Sequence, residues 1–402
     1  TVTMHHSDLG GNTNGMVDVK AGSNGVMYAS FPGNGFNPTT AGSVAIEGVW
    51  RKNQTGVWTR IAGGGTPAWF NQSPIGSTTP PLGRIVLAID PNSENNVYML
   101  SWNGTNSSCG GSPAPEAQFG KYDTTAQTWV NLSPGLPDET GCKNGNDPFS
   151  VQTGYDLTIG VKPGSSNIVF IGGTNVYRLN SADGFTTSGY TVTRAGGYAN
   201  PTTYNLYTNS HPDIHAFAFQ PGTPGVMLCG NDGGVQRTTD NTAGTVAWTN
   251  ISGGLTTYQY YAVAVDPTNG SSVYMGGAQD NGTTVRNSGT NAFLSTFGGD
   301  GVSVGISYGD TMLFLGSQSG SMVRKRPILP ENFYDADLTP GSISGNALFV
   351  TLFHLDPDNT ENLYYANFNQ LWRCTNATKA NSFAADFSEI TGVRTTIGAV
   401  NI

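Results

Sequence analysis

Charged side chains are scarce in this chain. Asp, Glu, Lys and Arg together make up 11% of its 402 residues, whereas soluble domains usually carry about a quarter. Lys and Arg number 18 against 27 Asp and Glu, so the formal net charge is −9. A nucleic-acid-binding protein needs a basic surface patch, and this composition does not supply one. We therefore expect no nucleic-acid partner.

Long apolar runs are also missing. No run approaches the roughly 20 residues that a helix needs to cross a bilayer, so we predict no membrane span. The four cysteines include no pair with the CxxC spacing typical of zinc sites. Glycine, by contrast, occurs 55 times, and Asn, Ser and Thr are abundant. Surfaces rich in glycine, hydroxyl groups and amide groups are common on proteins that face polysaccharide. We therefore expect a secreted, extracellular or cell-surface protein in a mature or trimmed form.

Short strands recur in groups of four along the chain. The stretch 215–251 reads as four strands separated by Pro, Gly, Asn and Asp turns, the pattern of an antiparallel meander. The shorter intervals between successive groups fit a four-stranded propeller blade. The repeat predicts an all-β fold, a single seven-bladed β-propeller of four-stranded antiparallel blades over residues 1–402. An aromatic or leucine residue marks the second strand of each group: Tyr28, Tyr98, Phe170, Leu228, Tyr274, Phe314 and Tyr364.

A cation recurs at one position of the third strand in every predicted blade. A residue repeated in this way is expected to stack on or pair with neighbouring blades rather than to bind a ligand. The column consists of Arg51, Lys121, Arg178, Arg237, Arg286, Arg324 and Arg373. The predicted blades lie near residues 17–61, 86–132, 157–193, 215–251, 261–297, 302–349 and 351–390.

The long loops are predicted to lie on one rim. In an up-and-down blade, the links between blades and the corners between second and third strands share a face. The long links between the first four blades fall on that face, together with Arg84 and Asp156. Because loops on one rim of a rigid scaffold usually carry function, we predict the ligand site there.

Three polar residues lead into the first strand of the fourth blade, namely His211, Asp213 and His215. Alternation along a strand would point all three the same way. Neutral histidine ligates divalent metals readily, so the group indicates a metal site or an acid–base site. The alternative is a hydrogen-bonded plug at the mouth of the propeller.

Three carboxylates occupy glycine-flanked corners of consecutive blades: Asp232, Asp280 and Asp300. Glycine permits positive φ and a close approach of backbone to ligand. The corners are interpreted as ordinary turns, as a carboxylate pair for glycoside hydrolysis or as a calcium site; no other cofactor is expected. Asp280 and Asp300 are the favoured catalytic pair, with Asp232 and Asp213 in reserve. Gln279 is a candidate ligand-binding residue beside them.

Aromatic residues also fall on the predicted rim. Trp69, Trp102 and Tyr204 either stack on sugar rings or fix the loop insertions to the blades. Both interpretations stay open at the level of the sequence.

One segment resembles a known repeat. Residues 230–235 (GNDGGV) followed by 237–240 (RTTD) resemble the repeat of Asp-box propellers, also called bacterial neuraminidase repeats. That group includes sialidases, the xyloglucan-cleaving family 74 glycoside hydrolases and the sortilin ectodomain. In family 74, one catalytic Asp follows the second strand of the first blade in an Asp-(Ile/Val)-Gly-Gly context. Here that position reads SFPG at 30–33, and the similar DLGG at 8–11 precedes the blade.

Three functions are compatible with the resemblance. The first is a propeller that binds extracellular glycan or polysaccharide through its elaborated rim. The second is a glycoside hydrolase that uses rim aspartates, and the third is a structural or adhesive module whose partners are other domains of a longer protein or other copies. A sialidase needs three converging Arg residues and a Tyr nucleophile paired with a carboxylate; the sequence offers no matching arrangement, so sialidase activity is disfavoured.

Cys109 and Cys142 are predicted to form a disulfide, because both lie in insertions on the same face of the second blade. A bridge across a loop of about thirty residues would stabilise the fold by roughly 3 kcal/mol. Peptide mapping without reduction should recover the two cysteines in one linked peptide pair. Two intact free thiols at these positions would contradict the prediction.

Overall fold

The computed structural model describes residues 18–31, 48–63, 66–70, 83–103, 116–137, 149–200, 203–255, 258–286, 292–341, 348–367 and 370–391. These residues form seven four-stranded antiparallel sheets, and the strand order within each sheet follows the chain. They also form one short α-helix, α1 (Phe383–Asp386). The predicted all-β, seven-bladed β-propeller fold is confirmed, with one sheet for each predicted blade.

The chain divides into two compact units, Thr1–Leu255 and Thr256–Ile402. The first unit holds four blades and the second holds three. The strands of the first unit are β1 (Asp18–Ala21), β2 (Met27–Phe31), β3 (Gly48–Lys52), β4 (Trp58–Ala62), β5 (Ile85–Ile89), β6 (Asn96–Trp102), β7 (Ala117–Asp123), β8 (Thr128–Asn131), β9 (Thr158–Val161), β10 (Ile168–Gly172), β11 (Val176–Asn180), β12 (Thr191–Gly196), β13 (Ile214–Phe219), β14 (Met227–Asn231), β15 (Gly234–Thr238) and β16 (Thr249–Asn250).

The second unit contains the fifth, sixth and seventh blades. Its strands are β17 (Tyr260–Val265), β18 (Tyr274–Ala278), β19 (Gly282–Arg286), β20 (Phe293–Phe297), β21 (Val304–Ile306), β22 (Leu313–Gly316), β23 (Met322–Lys325), β24 (Ala336–Asp337), β25 (Phe353–Leu355), β26 (Leu363–Asn367), β27 (Gln370–Cys374) and β28 (Phe387–Glu389).

The turns after the first strands explain a recurrent sequence pattern. Asp90, Asp266 and Asp356 each end a first strand, and each carboxylate accepts a hydrogen bond from the backbone N–H two residues later, at 2.8, 3.0 and 2.9 Å. Asp favours turns because its side chain can replace the missing ladder partner in this way. The pattern therefore marks the places where the chain reverses between strands one and two.

Apolar side chains fill the spaces between neighbouring blades within each unit. In the first unit, Tyr98 and Phe119 of the second blade pack against Phe185 of the third, with the Tyr98 and Phe185 ring centroids 5.7 Å apart. In the second unit, Phe314 of the sixth blade and Tyr365 of the seventh belong to one buried cluster. A single blade cannot cover both its faces, so burial between blades supplies the core.

Hydrogen bonds from fourth-strand aromatics cross the same spaces. Each aromatic donates to a main-chain carbonyl of the preceding blade, so a buried N–H or O–H group finds its acceptor outside its own sheet. The bonds run from Trp129 Nε1 to Ile61 O (2.7 Å), from Tyr190 Oη to Leu132 O (2.8 Å) and from Trp248 Nε1 to Ala195 O (2.7 Å).

The third-strand cations reach in the opposite direction, to main-chain carbonyls of the following blade. This confirms the predicted pairing with neighbouring blades for three members of the column. The donors and acceptors are Lys121 Nζ to Gly184 O (2.7 Å), Arg178 Nη1 to Asn241 O (2.9 Å) and Ala243 O (2.8 Å), and Arg324 Nη1 to Thr378 O.

Arg286 has two contacts of a different kind. Its guanidinium lies 5.1 Å from the ring centroid of Tyr274 and donates to Ser272 O at 2.5 Å, and both partners belong to its own blade. Pairing of Arg286 with a neighbouring blade stays a prediction.

Replacing Arg178 with alanine should destabilise the first unit. The buried Arg178 side chain is the donor to two carbonyls of the fourth blade, and a stranded buried polar group costs about 1–3 kcal/mol. Urea denaturation of Arg178→Ala should show a free energy of unfolding lower by about that amount.

Arg237→Ala is the matched control, because Arg237 holds the same column position and is only half-buried. Its neighbours across the sheet are Leu228 and Thr249. Equal losses in the two variants would contradict the role assigned to the Arg178 hydrogen bonds.

Candidate ligand site on the rim of the first unit

Polar residues from three blades meet at one rim of the first unit. Arg84 precedes β5, Asp156 precedes β9 and Asp213 precedes β13, while Asp232 lies at the corner between β14 and β15. Backbone hydrogen bonds fix this corner: Asp213 N donates to Thr174 O at 3.0 Å, and Asp232 N donates to Asp213 O at 3.3 Å. The sheet ends therefore place these side chains beside one another.

Asp156 is fully buried, and neither of its carboxylate oxygens accepts a hydrogen bond from a donor group within the described residues. Burial is the main reason that the pKa of Asp156 rises to about 9, and the nearby Asp213 and Asp232 carboxylates add to it, while Arg84 opposes the rise. Burial without a donor therefore favours the protonated form of Asp156, and the neighbouring Asp213 carboxylate is the next largest cause of its raised pKa.

Asp213 has an unusual backbone conformation. Its φ is +63°, in the left-handed region that non-glycine residues adopt infrequently. Its Oδ1 accepts a hydrogen bond from Gln152 Nε2 at 2.8 Å. Burial raises the pKa of Asp213, whereas the hydrogen bond from Asp156 favours the ionised form and lowers it. Asp156 and Asp213 are thus neighbouring carboxyl groups that each affect the pKa of the other.

His215 connects this pair to Asp232. Its Nε2 forms a short hydrogen bond with Asp232 Oδ1 and lies 3.9 Å from Asp156 Oδ1. The ring of Tyr155 stands edge-on to the imidazole with centroids 5.2 Å apart, and 56% of Tyr155 is exposed. Arg84 Nη1 donates to Tyr155 O at 2.7 Å and so holds the Tyr155 loop in place.

His211 has local hydrogen bonds of its own beside Asp213. Its Nδ1 lies 3.0 Å from Pro212 O, and Asn231 Nδ2 donates to His211 O at 3.0 Å. These bonds connect His211 to the corner between β14 and β15. His211 and His215 both lie within electrostatic reach of the Asp213 carboxylate, and a common ligand role for the three residues stays a prediction.

The favoured catalytic pair lies in the second unit. Asp280 has φ +58°, and its backbone N–H donates to Asp300 Oδ1 at 2.9 Å. Asp300 N donates to Gln318 Oε1 at 3.0 Å, and Tyr261 Oη donates to Gln279 Oε1. These bonds favour the turn interpretation of the corner, since one Asp300 oxygen already caps a backbone amide. A catalytic role for the pair stays a prediction.

The predicted rim aromatics divide into two kinds. Trp69 packs edge-on against Trp129 with centroids 6.3 Å apart, and Trp102 lies so close to Gly83 that a β-carbon there would be 2.1 Å from Trp102 Cε3. Both tryptophans therefore fix loops to the blades. Tyr204 is 43% exposed beside the Tyr198 ring, and Cys109 and Cys142 lie outside the described residues.

Two further findings concern the described residues alone. They contain no group of three or more His, Cys, Asp or Glu side chains placed to hold a metal ion. None of their helices is long and apolar enough to cross a membrane.

Four residues of the cluster are not among the predicted site residues: Arg84, Gln152, Tyr155 and Asp156. Arg84 and Asp156 were expected on the rim but not in the site, because the sequence does not show that a carboxyl group is buried without a donor. A signal was nevertheless available. Asp156 and Asp213 hold equivalent positions before the first strands of adjacent blades, which makes them neighbours in a propeller.

Comparisons with known proteins give resemblances of fold only. No family model and no curated protein matches the chain. Among solved structures it is similar to a GH74 xyloglucanase from Xanthomonas campestris (12% identity, 95% of this chain and 58% of that one, TM-score 0.41), to an ancestral GH74 enzyme (15%, 91% and 48%, 0.47) and to a GH74 enzyme from Niastella koreensis (14%, 90% and 53%, 0.36). The chain spans about half the length of these structures.

Asp156→Asn should stabilise the protein at neutral pH. The folded-state pKa of Asp156 lies above its ordinary value of 3.8. Between the unfolded-state and folded-state pKa values only the unfolded chain releases the proton, so the stability of the wild type falls as pH rises. Asparagine has no proton to release. Thermal unfolding should therefore give a Tm advantage for Asp156→Asn that is near zero at pH 4 and grows toward pH 8.

Asp183→Asn provides a control of opposite sign. Hydrogen bonds from Ser181, Thr186 and Thr187 lower the pKa of the exposed Asp183 carboxyl. The ionised Asp183 carboxylate stabilises the fold above pH 4, and this effect is lost in acid. Asp183→Asn should therefore have a lower Tm than the wild type at neutral pH. A constant Tm difference for Asp156→Asn across the pH range would contradict the assignment.

Proposed function

We propose that this chain is a secreted or cell-surface propeller that binds extracellular glycan at the rim of the first unit. The observation that carries the proposal is the exposed Tyr155 ring beside the His215–Asp232 pair and the Asp213 carboxylate. A sugar ring offers C–H groups that stack on an aromatic face and hydroxyl groups that donate to carboxylates. A few polar groups beside an apolar surface are typical of ligand sites.

The charges of the cluster favour a glycan without acidic groups. Asp156 and Asp232 lie near the His215 imidazole, Asp213 is within its electrostatic reach, and Arg84 donates to backbone carbonyls instead of to these carboxyl groups. An anionic sugar would meet repulsion from Asp213 and Asp232. A neutral polysaccharide donates hydroxyl protons to the same groups, so it fits better.

Glycoside hydrolysis is the second candidate. It is supported by Asp213 and Asp232, two carboxyl groups that a backbone hydrogen bond holds side by side at the rim, because glycoside hydrolysis uses a pair of carboxyl groups. Asp156 is fully buried, so Asp213 and Asp232 are the carboxylates that a glycosidic bond would reach. Asp280 and Asp300 offer a separate location for this chemistry in the second unit.

Tyr155→Ala should weaken glycan binding about tenfold, because an aromatic contact of roughly 1.4 kcal/mol corresponds to that factor. The test is retention on a panel of neutral and acidic polysaccharides, followed by calorimetry on whichever is retained. Tyr334→Ala is the matched control, since Tyr334 is similarly exposed in the second unit and should bind as the wild type does.

Release of reducing ends from the same panel separates hydrolysis from binding. Hydrolysis at the first-unit site should be lost in Asp213→Asn and persist in Asp280→Asn, whereas hydrolysis in the second unit should show the reverse. If no polysaccharide is retained by the wild type, the glycan proposal is wrong and a structural or adhesive module becomes the better interpretation.

A further inference from the structure

We propose that Asp156 is a positioning residue of the first-unit site: it donates a proton to Asp213 and thereby holds the Asp213 carboxylate and the His215 ring in their binding arrangement. The proposal names a buried residue that does not touch the ligand, and its effect on affinity rests on the proposed glycan function. The arrangement of the side chains carries the argument in three steps.

The first step concerns the surroundings of Asp156. Both of its oxygens are buried without a hydrogen-bond donor from the described residues. The imidazole nitrogen His215 Nε2 stands 3.9 Å from Asp156 Oδ1 and is already bonded to Asp232. Arg84 directs its guanidinium to the carbonyls of Gly154 and Tyr155 instead. An ionised carboxylate in this place would be costly, so Asp156 is neutral and its own proton makes its hydrogen bond.

The second step concerns Asp213, the acceptor of that proton. Its backbone is held by Thr174 O and by the N–H of Asp232, in a left-handed conformation. Gln152 donates to its Oδ1 from one side. The proton of Asp156 adds a second donor, so the carboxylate is fixed by two bonds and keeps one orientation. Strained backbone held by its surroundings is typical of ligand sites.

The third step concerns the charges around Asp156. The groups that face the pair are Asp213, Asp232, His215, His211 and Arg84, and the Tyr198 phenol lies within electrostatic reach. Loss of the proton would leave Asp156 and Asp213 as two adjacent anions with no proton between them. Repulsion would then turn Asp213 away from Asp156, and His215 would be drawn toward the new charge. Binding is therefore present while Asp156 is protonated and is lost as pH rises through its titration.

Substituting Asp156 by asparagine or by alanine separates the effect of the hydrogen-bond donor from the effect of its titration. Asp156→Asn keeps a donor to Asp213 that does not titrate, whereas Asp156→Ala removes the donor. Calorimetry on the polysaccharide that the wild type retains should give an affinity for Asp156→Asn within about twofold of the wild type at pH 7, unchanged up to pH 10. The wild type should lose at least tenfold over that range, and Asp156→Ala should be at least tenfold weaker at every pH.

Two spectroscopic measurements on the full chain need no ligand. Infrared spectra at pH 7 should contain the C=O band of one protonated carboxyl group that is absent from Asp156→Asn and that disappears from the wild type in alkali. The NMR signals of the His215 ring should match the wild type in Asp156→Asn and be displaced in Asp156→Ala. Near-ultraviolet circular dichroism checks that both variants are folded.

Absence of that carboxyl band from the wild type at pH 7 would overturn the proposal, as would identical His215 signals in the two variants. If Asp156→Ala fails to fold, the infrared carboxyl band of the wild type and the pH-independent affinity of Asp156→Asn still test the proposal. A wild type that shows the band and the expected His215 signals but retains no polysaccharide would refute the glycan function and leave the positioning role supported.

Discussion

Several sheets in this protein have main-chain carbonyls that find their donors in a neighbouring blade. A buried carbonyl without a donor costs as much as a lost hydrogen bond. Fourth-strand aromatics such as Trp129 satisfy a carbonyl of the preceding blade, and third-strand cations such as Arg178 satisfy carbonyls of the following one. These bonds accompany the apolar side chains that fill the spaces between blades within each unit.

Some of the few basic residues take part in bonds to the main chain. The chain has 18 Lys and Arg, and the ammonium groups of the buried Lys121 and Lys325 donate to main-chain carbonyls. Burial lowers the pKa of both lysines. At the rim of the first unit, by contrast, the acidic side chains outnumber the basic side chains near them. Burial and this excess of acidic groups together raise the pKa of Asp156.

The sequence was enough to predict the blades because the relevant signals repeat. The third-strand cation and the Asp turn each occur several times at equivalent positions, and this recurrence predicts the blades where a single occurrence would not. The sequence placed Asp213, His215 and Asp232 on one rim, and the structure has a hydrogen bond between His215 and Asp232. Alternation along the strand does not determine this arrangement, because a β-bulge shifts the register between Ile214 and Ala216. The roles of these residues in ligand binding stay predictions. Asp156 could not be predicted as a site residue because its role depends on burial and on an absent donor, and neither can be recognised from one residue type at one position.

The bonds between blades have a consequence for how such a chain can change over time. Their acceptors are main-chain carbonyls, which every residue type supplies equally. A donor such as Arg178 therefore recognises the path of the adjacent backbone and not the side chains on it. Each blade can exchange most of its residues without disturbing its neighbour, provided that its own donor and its own turn are kept. Sequence similarity between the blades can then fade to a few columns while the architecture persists.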